Sequence, residues 1–171
     1  MKTIAFAGYS GSGKTTLIEQ VIPCLMRAGL RVSLIKHAHH EFDVDVPGKD
    51  SWRHRQAGAF EVLVTSSKRW VLMHELRDEP EPGLEEQLQR CSPCDLVIVE
   101  GWKFAPIPKI EIHRKGTGHP LLFPDDPHVI AIATDEPLDT KLPQLALNDV
   151  SAMAAFIINR IGRGQPVMQS A

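Results

Sequence analysis

A chain of 171 residues with 43% hydrophobic content has the size of one globular domain with a sizeable core and is too short for two full ones. The formal net charge of -2 gives no basis for nonspecific nucleic-acid binding, and no apolar run approaches the roughly 18 residues of a membrane span. No basic segment, apolar stretch and cleavage site follow Met1, and the three cysteines Cys24, Cys91 and Cys94 make no disulfide framework, so a soluble, cytoplasmic protein is expected.

The first apolar run, Thr3 to Ala7, ends at Gly8 and reads as a strand. Thr15 to Arg27 follows with Leu17, Ile18, Val21, Ile22 and Leu25 at helical spacing, and Pro23 inside that pattern predicts a kink. Gly29 marks the helix end, and Arg31 to Lys36 reads as a second buried strand. This βαβ unit demands a parallel sheet, which makes the fold class α/β, with a mostly parallel sheet flanked by helices.

Phe60 to Thr65 and Arg69 to Glu75 are β-rich runs joined by Ser66-Ser67-Lys68, which predicts a hairpin extension. A proline-rich linker, Glu79 to Gly83, precedes a short helix at Leu84 to Arg90. Asp95 to Glu100 is a continuous apolar strand closed by a carboxylate, and Lys109 to His113 and His128 to Ala133 are two more strands. Asn148 or Asp149 can cap a last helix that puts Val150, Met153, Ala154, Ile157 and Ile161 on one face. The expected organisation is a single nucleotide-binding domain over 1–162 and a flexible tail over 163–171.

The segment between the first strand and the first helix carries chemistry. Gly8-Tyr9-Ser10-Gly11-Ser12-Gly13-Lys14-Thr15 fits G-x-x-x-x-G-K-[ST], the P-loop, whose glycines let successive N–H groups converge on phosphate oxygens. Lys14 supplies a point charge to the β and γ phosphates, the Thr15 hydroxyl is a Mg²⁺ ligand, and the helix starting there aims its dipole at the same anion. Gly8, Ser10, Gly11, Ser12, Gly13, Lys14, Thr15 and Thr16 are the expected nucleotide-binding set.

Leu96-Val97-Ile98-Val99 carries Glu100 to the carboxyl edge of the sheet, where it can hold Mg²⁺ or orient a water. Lys36 to Ser51 is a long polar loop dense in His and Asp, a length that marks functional loops. Asp43, Asp45 and Asp50 are candidate Mg²⁺ or water ligands there, Asp45 foremost, and Lys49 a candidate phosphate contact. His37, His39 and His40 raise the question of a transition metal, as does Cys91-x-x-Cys94, but neither has the second half of a site.

The stretches "FAGYSGSGKTTL", "LIKHAHHEFDVDVPGKDSW", "LVIVEGWK" with "PKIE", and "VIAIATDEPL" come in the order and spacing of one family. Over nearly everything from Lys2 to about Arg160 the chain resembles the MobB proteins, the molybdopterin-guanine dinucleotide biosynthesis adaptors, with the His-rich loop the most specific part. That resemblance implies a P-loop GTP-binding protein that forms a homodimer and hydrolyses GTP weakly. It implies work alongside MobA, the guanylyltransferase that joins GMP to molybdopterin, with molybdopterin or molybdoenzymes as further partners.

Guanine is implied by the family and has no separate N-K-x-D signal here; Asp135, after the strand His128 to Ala133, is the candidate acceptor for guanine N1 and N2. The alternative for Thr134-Asp135 is a simple turn before Pro137. Two further classes share the glycine loop: a small-molecule kinase using Arg53, His54 and Arg55, and a metal-delivery GTPase using the histidines or the cysteine pair. Turnover is expected to be slow, because the P-loop offers Lys14 but no arginine to the developing charge. The apolar residues Phe60, Val62, Val64, Trp70, Leu72 and Met73 add a reason to expect a homodimer.

Overall fold

Among the described residues eight strands and four α-helices follow in chain order: β1 Lys2–Ala7, α1 Lys14–Arg27, β2 Val32–Lys36, α2 Asp50–Gln56, β3 Glu61–Thr65, β4 Trp70–His74, α3 Leu84–Arg90, β5 Leu96–Glu100, β6 Lys109–His113, β7 Val129–Thr134, β8 Gln144–Ala146 and α4 Val150–Arg160. The structure, a computed structural model, describes residues 1–38 and 41–162. His39, His40 and the expected tail 163–171 therefore lie outside the described residues.

Six strands form one sheet in the order β2-β5-β1-β6-β7-β8, and every pairing in it is parallel. The expected α/β class with a mostly parallel sheet is what the chain builds. Strand β5 is buried along its whole length, which is why "LVIVE" shows no alternation: helices and loops cover both faces of a parallel sheet. Ile4, Phe6, Ile98, Ile110 and Ile112 pack on one face against Leu17, Val21 and Leu25 of α1 and Met153 and Ile157 of α4. Ala5, Val97 and Val99 point the other way, towards Leu84, Leu88 and Trp102.

Local chemistry explains the element ends. Asp149 caps α4 by accepting from the Ala152 N–H at 2.9 Å, which decides between the two expected caps. Helix α1 continues through Pro23 to Arg27, and its basic last residue suits the helix dipole. Two short elements escape the apolar pattern. Helix α2, "DSWRHRQ", buries no residue, and β8 is only three residues long.

The described residues form two compact units, one within 1–37 and 84–162 and the other within 38 and 41–83. The smaller unit contains α2 and the expected hairpin, with Val62 opposite Met73, Leu63 opposite Leu72, Val64 opposite Val71 and Thr65 opposite Trp70. Because strand residues alternate, Val62, Val64, Val71 and Met73 share one face while Leu63, Leu72 and Trp70 share the other. The ribbon is thus apolar on both sides, and Leu63, Trp70 and Leu72 are exposed.

Candidate functional site

The larger unit gathers its polar groups at the carboxyl edge of the sheet, between the end of β1 and the start of α1. Gly8 sits where a Cβ would come within 2.5 Å of the Ile112 carbonyl oxygen, so the loop can pass β6 only without a side chain there. Gly13, at φ 94, is the N-cap of α1 and offers no side-chain cap, which leaves the helix N-terminus to an outside acceptor. Ser12 is 2% exposed and its Oγ is buried without a hydrogen-bond partner among the described residues.

Lys14 folds back over this loop and donates from Nζ to the Tyr9 carbonyl at 2.8 Å. Burial pushes its ammonium below the ordinary lysine range; Glu100 opposes that shift, while Lys103 and Lys36 add to it. In the first turn of α1, the Thr15 hydroxyl donates to Glu100 Oε1 at 2.6 Å. The other oxygen, Oε2, lies 3.7 Å from Lys36 Nζ at the end of β2. Glu100 is itself 6% exposed, and its backbone carbonyl accepts from the His37 N–H at 2.9 Å. Gly101 follows because a Cβ there would meet the His37 carbonyl oxygen at 2.7 Å.

A hydroxyl and a carboxylate in contact beside a helix N-terminus are hard oxygen donors, which suits Mg²⁺ completed by phosphate oxygens and water. Among the described residues no three His, Cys, Asp or Glu side chains converge as a metal site. Of the expected histidines only His37 is described, with its ring 5.1 Å from that of Trp102. Cys91 donates to the Gln87 carbonyl within its own helix turn, and burial raises its thiol pKa.

Lys14, Thr15 and Glu100 are thus brought together, with Gly8, Ser10, Gly11, Ser12, Gly13 and Thr16 along the loop and first turn. Asp135 stands just beyond β7, its Oδ1 accepting from the Lys115 N–H at 2.9 Å. Asp45 belongs to the smaller unit. There Oδ1 accepts from Ser51 Oγ at 2.8 Å and from the Val46 N–H at 2.9 Å, while Oδ2 stands 3.4 Å from Arg55 Nε without hydrogen-bond geometry. Arg55 also reaches Asp43 at 2.6 Å and Glu75 at 2.9 Å. The Asp45 N–H, and after it Arg55, hold the Asp43 carboxyl below its usual range.

The loop itself carries no arginine, as expected, but one from another segment comes beside it. Arg114, the residue after β6, places Nη2 3.5 Å from where a Cβ of Gly13 would be. Two more residues were not legible as loop neighbours. Lys103 Nζ lies 3.6 Å from the centre of the Tyr9 ring, and the His119 ring stacks on Tyr9 at 4.5 Å between centroids. The available signal was positional: Arg114 ends the run "PKIEIHR" at a strand terminus, but only the sheet order puts that terminus beside the loop.

Comparison with known proteins places these motifs in company. The family model described as Molybdopterin guanine dinucleotide synthesis protein B matches residues 3–135. The molybdopterin-guanine dinucleotide biosynthesis adapter protein of Escherichia coli is 48% identical over 158 residues, 91% of this chain and 90% of that protein. Its namesake from Haemophilus influenzae is 45% identical over 160 residues, 91% and 87% of the two chains. The crystal structure of molybdopterin-guanine biosynthesis protein B superposes with a TM-score of 0.73 at 28% identity, covering 93% of this chain and 98% of that one. Bacillus subtilis MobB, at 24% identity and a TM-score of 0.73, shares the fold.

Proposed function

Because this chain belongs to the molybdopterin guanine dinucleotide synthesis protein B (MobB) family, we propose that it is a GTP-binding adaptor of molybdopterin-guanine dinucleotide biosynthesis, acting in the cytoplasm. The observation that carries the nucleotide part is the convergence of Lys14, Thr15 and Glu100 at the uncapped N-terminus of α1. Lys14 is already positioned over the loop and needs only to exchange the Tyr9 carbonyl for phosphate oxygens. Thr15 and Glu100 are the residues that would hold Mg²⁺, which when bound neutralises phosphate charge. Asp135 is the acceptor for the guanine edge.

Turnover on this site is slow. Glu100 is committed through one oxygen to Thr15 and through the other to Lys36, so it holds the cation-binding hydroxyl in place rather than a water. An adaptor needs no faster chemistry: its output is the bound state, offered to a MobA-like guanylyltransferase and, through it, to molybdopterin or molybdoenzymes. A homodimer joined through the apolar hairpin β3–β4 fits the same reading.

Single-turnover GTP hydrolysis with Mg²⁺, alone and with a MobA-like transferase, tests this function. The expected result is turnover far below 1 s⁻¹ alone and a gain in dinucleotide formed when the chain is added to the transferase. A rate on the order of 1 s⁻¹ or faster in the isolated chain, typical of self-sufficient phosphoryl transfer, would overturn the adaptor in favour of an enzyme.

A further inference from the structure

Strand β6 pairs directly with β1, with Phe6 opposite Ile110 and Ala7 opposite Glu111. The chain therefore leaves β6 beside the loop that β1 feeds, and the first residue past the strand is Arg114. Its guanidinium lies beside Gly13, with Nη2 3.5 Å from where an added Cβ would be. Gly13 is also the N-cap of α1, so the cation stands against the backbone that would receive the phosphate.

The other arm of the guanidinium is held only loosely. Arg114 Nη1 is 3.8 Å from Asp135 Oδ2, and the two side chains are 44% and 36% exposed. Ion pairs of that distance and exposure contribute little net attraction. A polyphosphate at the loop offers more: a planar guanidinium can bind it through two parallel N–H donors, in a place where the helix dipole already favours the anion. Asp135 has a second anchor that does not depend on Arg114, because its Oδ1 accepts from the Lys115 N–H at 2.9 Å.

We propose that Arg114 is a phosphate ligand of this site, exchanged from Asp135 to the polyphosphate when nucleotide binds, which opens Asp135 Oδ2 to donors of the base. The exchange rests on the P-loop reading above and adds to it a residue that couples the phosphate end of the ligand to the base end. Asp135 then acts twice, as a restraint on the empty cation and as an acceptor in the complex. The two roles predict opposite signs for one substitution.

Calorimetry with inorganic tripolyphosphate, which has no base, separates the roles. Arg114→Ala should weaken tripolyphosphate at least about tenfold, and Arg114→Lys, which keeps the charge but loses the fork, should fall between it and the parent. Asp135→Asn keeps an oxygen for the Lys115 N–H but frees Arg114. It should tighten tripolyphosphate about threefold or more while weakening GTP, and the gain should vanish in the Arg114→Ala background. Circular dichroism checks each fold, and Arg114→Gln replaces the alanine variant if that one does not fold. Unchanged tripolyphosphate binding in folded Arg114→Ala or Arg114→Gln, or weaker tripolyphosphate binding in Asp135→Asn, overturns the exchange. A parent protein that binds neither tripolyphosphate nor GTP overturns the P-loop reading itself, and the exchange with it.

Discussion

The Thr15 hydroxyl donates to Glu100 Oε1 at 2.6 Å, joining the first turn of α1 to the end of β5 across 85 residues of chain. Thr15 is held by helix α1 and Glu100 by the inner strand β5, and Lys36 stands 3.7 Å from the second oxygen. Under the proposed function this pair of hard oxygen donors is where Mg²⁺ would sit.

Removing that carboxylate should cost twice over. In Glu100→Ala the Thr15 hydroxyl loses its acceptor and Lys36 its counter-charge in a site where Glu100 is buried, so unfolding free energy should drop by about 1–3 kcal/mol. Nucleotide affinity should lose its dependence on Mg²⁺. Urea unfolding and calorimetry with and without Mg²⁺ check both outcomes, and a Mg²⁺ effect as large as in the parent would remove Glu100 from the cation site.

A second prediction concerns the floor beneath the site. Lys109 is fully buried at the start of β6, where Nζ donates to Asp126 Oδ2 at 2.6 Å and to the Lys103 carbonyl at 2.9 Å. Asp126→Asn leaves that buried ammonium without its counter-charge and should destabilise by about 3 kcal/mol, whereas Lys109→Met removes the charge and keeps the volume, and should cost less. Burial pushes the Asp126 carboxyl up, but the hydrogen bonds from Lys109 and the His128 N–H bring it below its usual value overall. The pair's stabilisation is therefore present above about pH 3.9 and lost as pH falls through the lower folded value. Urea midpoints at neutral and acid pH measure the asymmetry, and equal costs for the two variants would refute it.

The hairpin carries a pH response of opposite sign. His74 Nδ1 is 2.8 Å from Glu61 and Nε2 is 3.3 Å from Glu79, and the hydrogen bond to Glu61, against burial and helped by Glu79, raises its pKa. A raised histidine stabilises fully below the usual value of about 6.5 and loses that contribution as pH rises through the folded value. Melting temperature should fall more between about pH 6 and pH 8 in the parent than in His74→Gln. Parallel pH profiles for the two proteins would contradict the assignment.

The same ribbon should set the assembly. Leu63, Trp70 and Leu72 share an exposed face on a two-stranded sheet, which is marginally stable by itself, and pairing across a two-fold axis would cover it. Light scattering should give a dimer mass at micromolar concentration, and Leu63→Glu with Leu72→Glu should give the monomer. A monomeric parent at that concentration would rule out this hairpin as a stable dimer interface.

Much of this was legible because its determinants are local. The glycine spacing from Gly8 to Gly13, the amphipathic turn after it and the unbroken apolar run into Glu100 each encode their own geometry within a few residues. Arg114 and Lys103 were not legible as loop neighbours, because their positions follow from β6 lying next to β1, a fact of sheet order. Helix α2 escaped because "DSWRHRQ" has no apolar period to read, and β8 because three residues make no pattern. For Asp45 the composition suggested a cation ligand, while the fold surrounds it with Ser51, the Val46 N–H and Arg55. An acidic side chain in a polar loop reads the same in sequence whether its partner is a metal or a guanidinium.

Calorimetric titration of the full chain with GTP and ATP in the presence of Mg²⁺, repeated on Lys14→Ala, bears most directly on what this protein does. GTP should bind at least about tenfold more tightly than ATP, and Lys14→Ala should cost GTP about 2 kcal/mol or more, the scale of a charge-assisted contact to phosphate, with the fold intact by circular dichroism. ATP binding as tight as GTP binding, or GTP affinity unchanged in Lys14→Ala, would contradict a guanine-nucleotide site built on this loop.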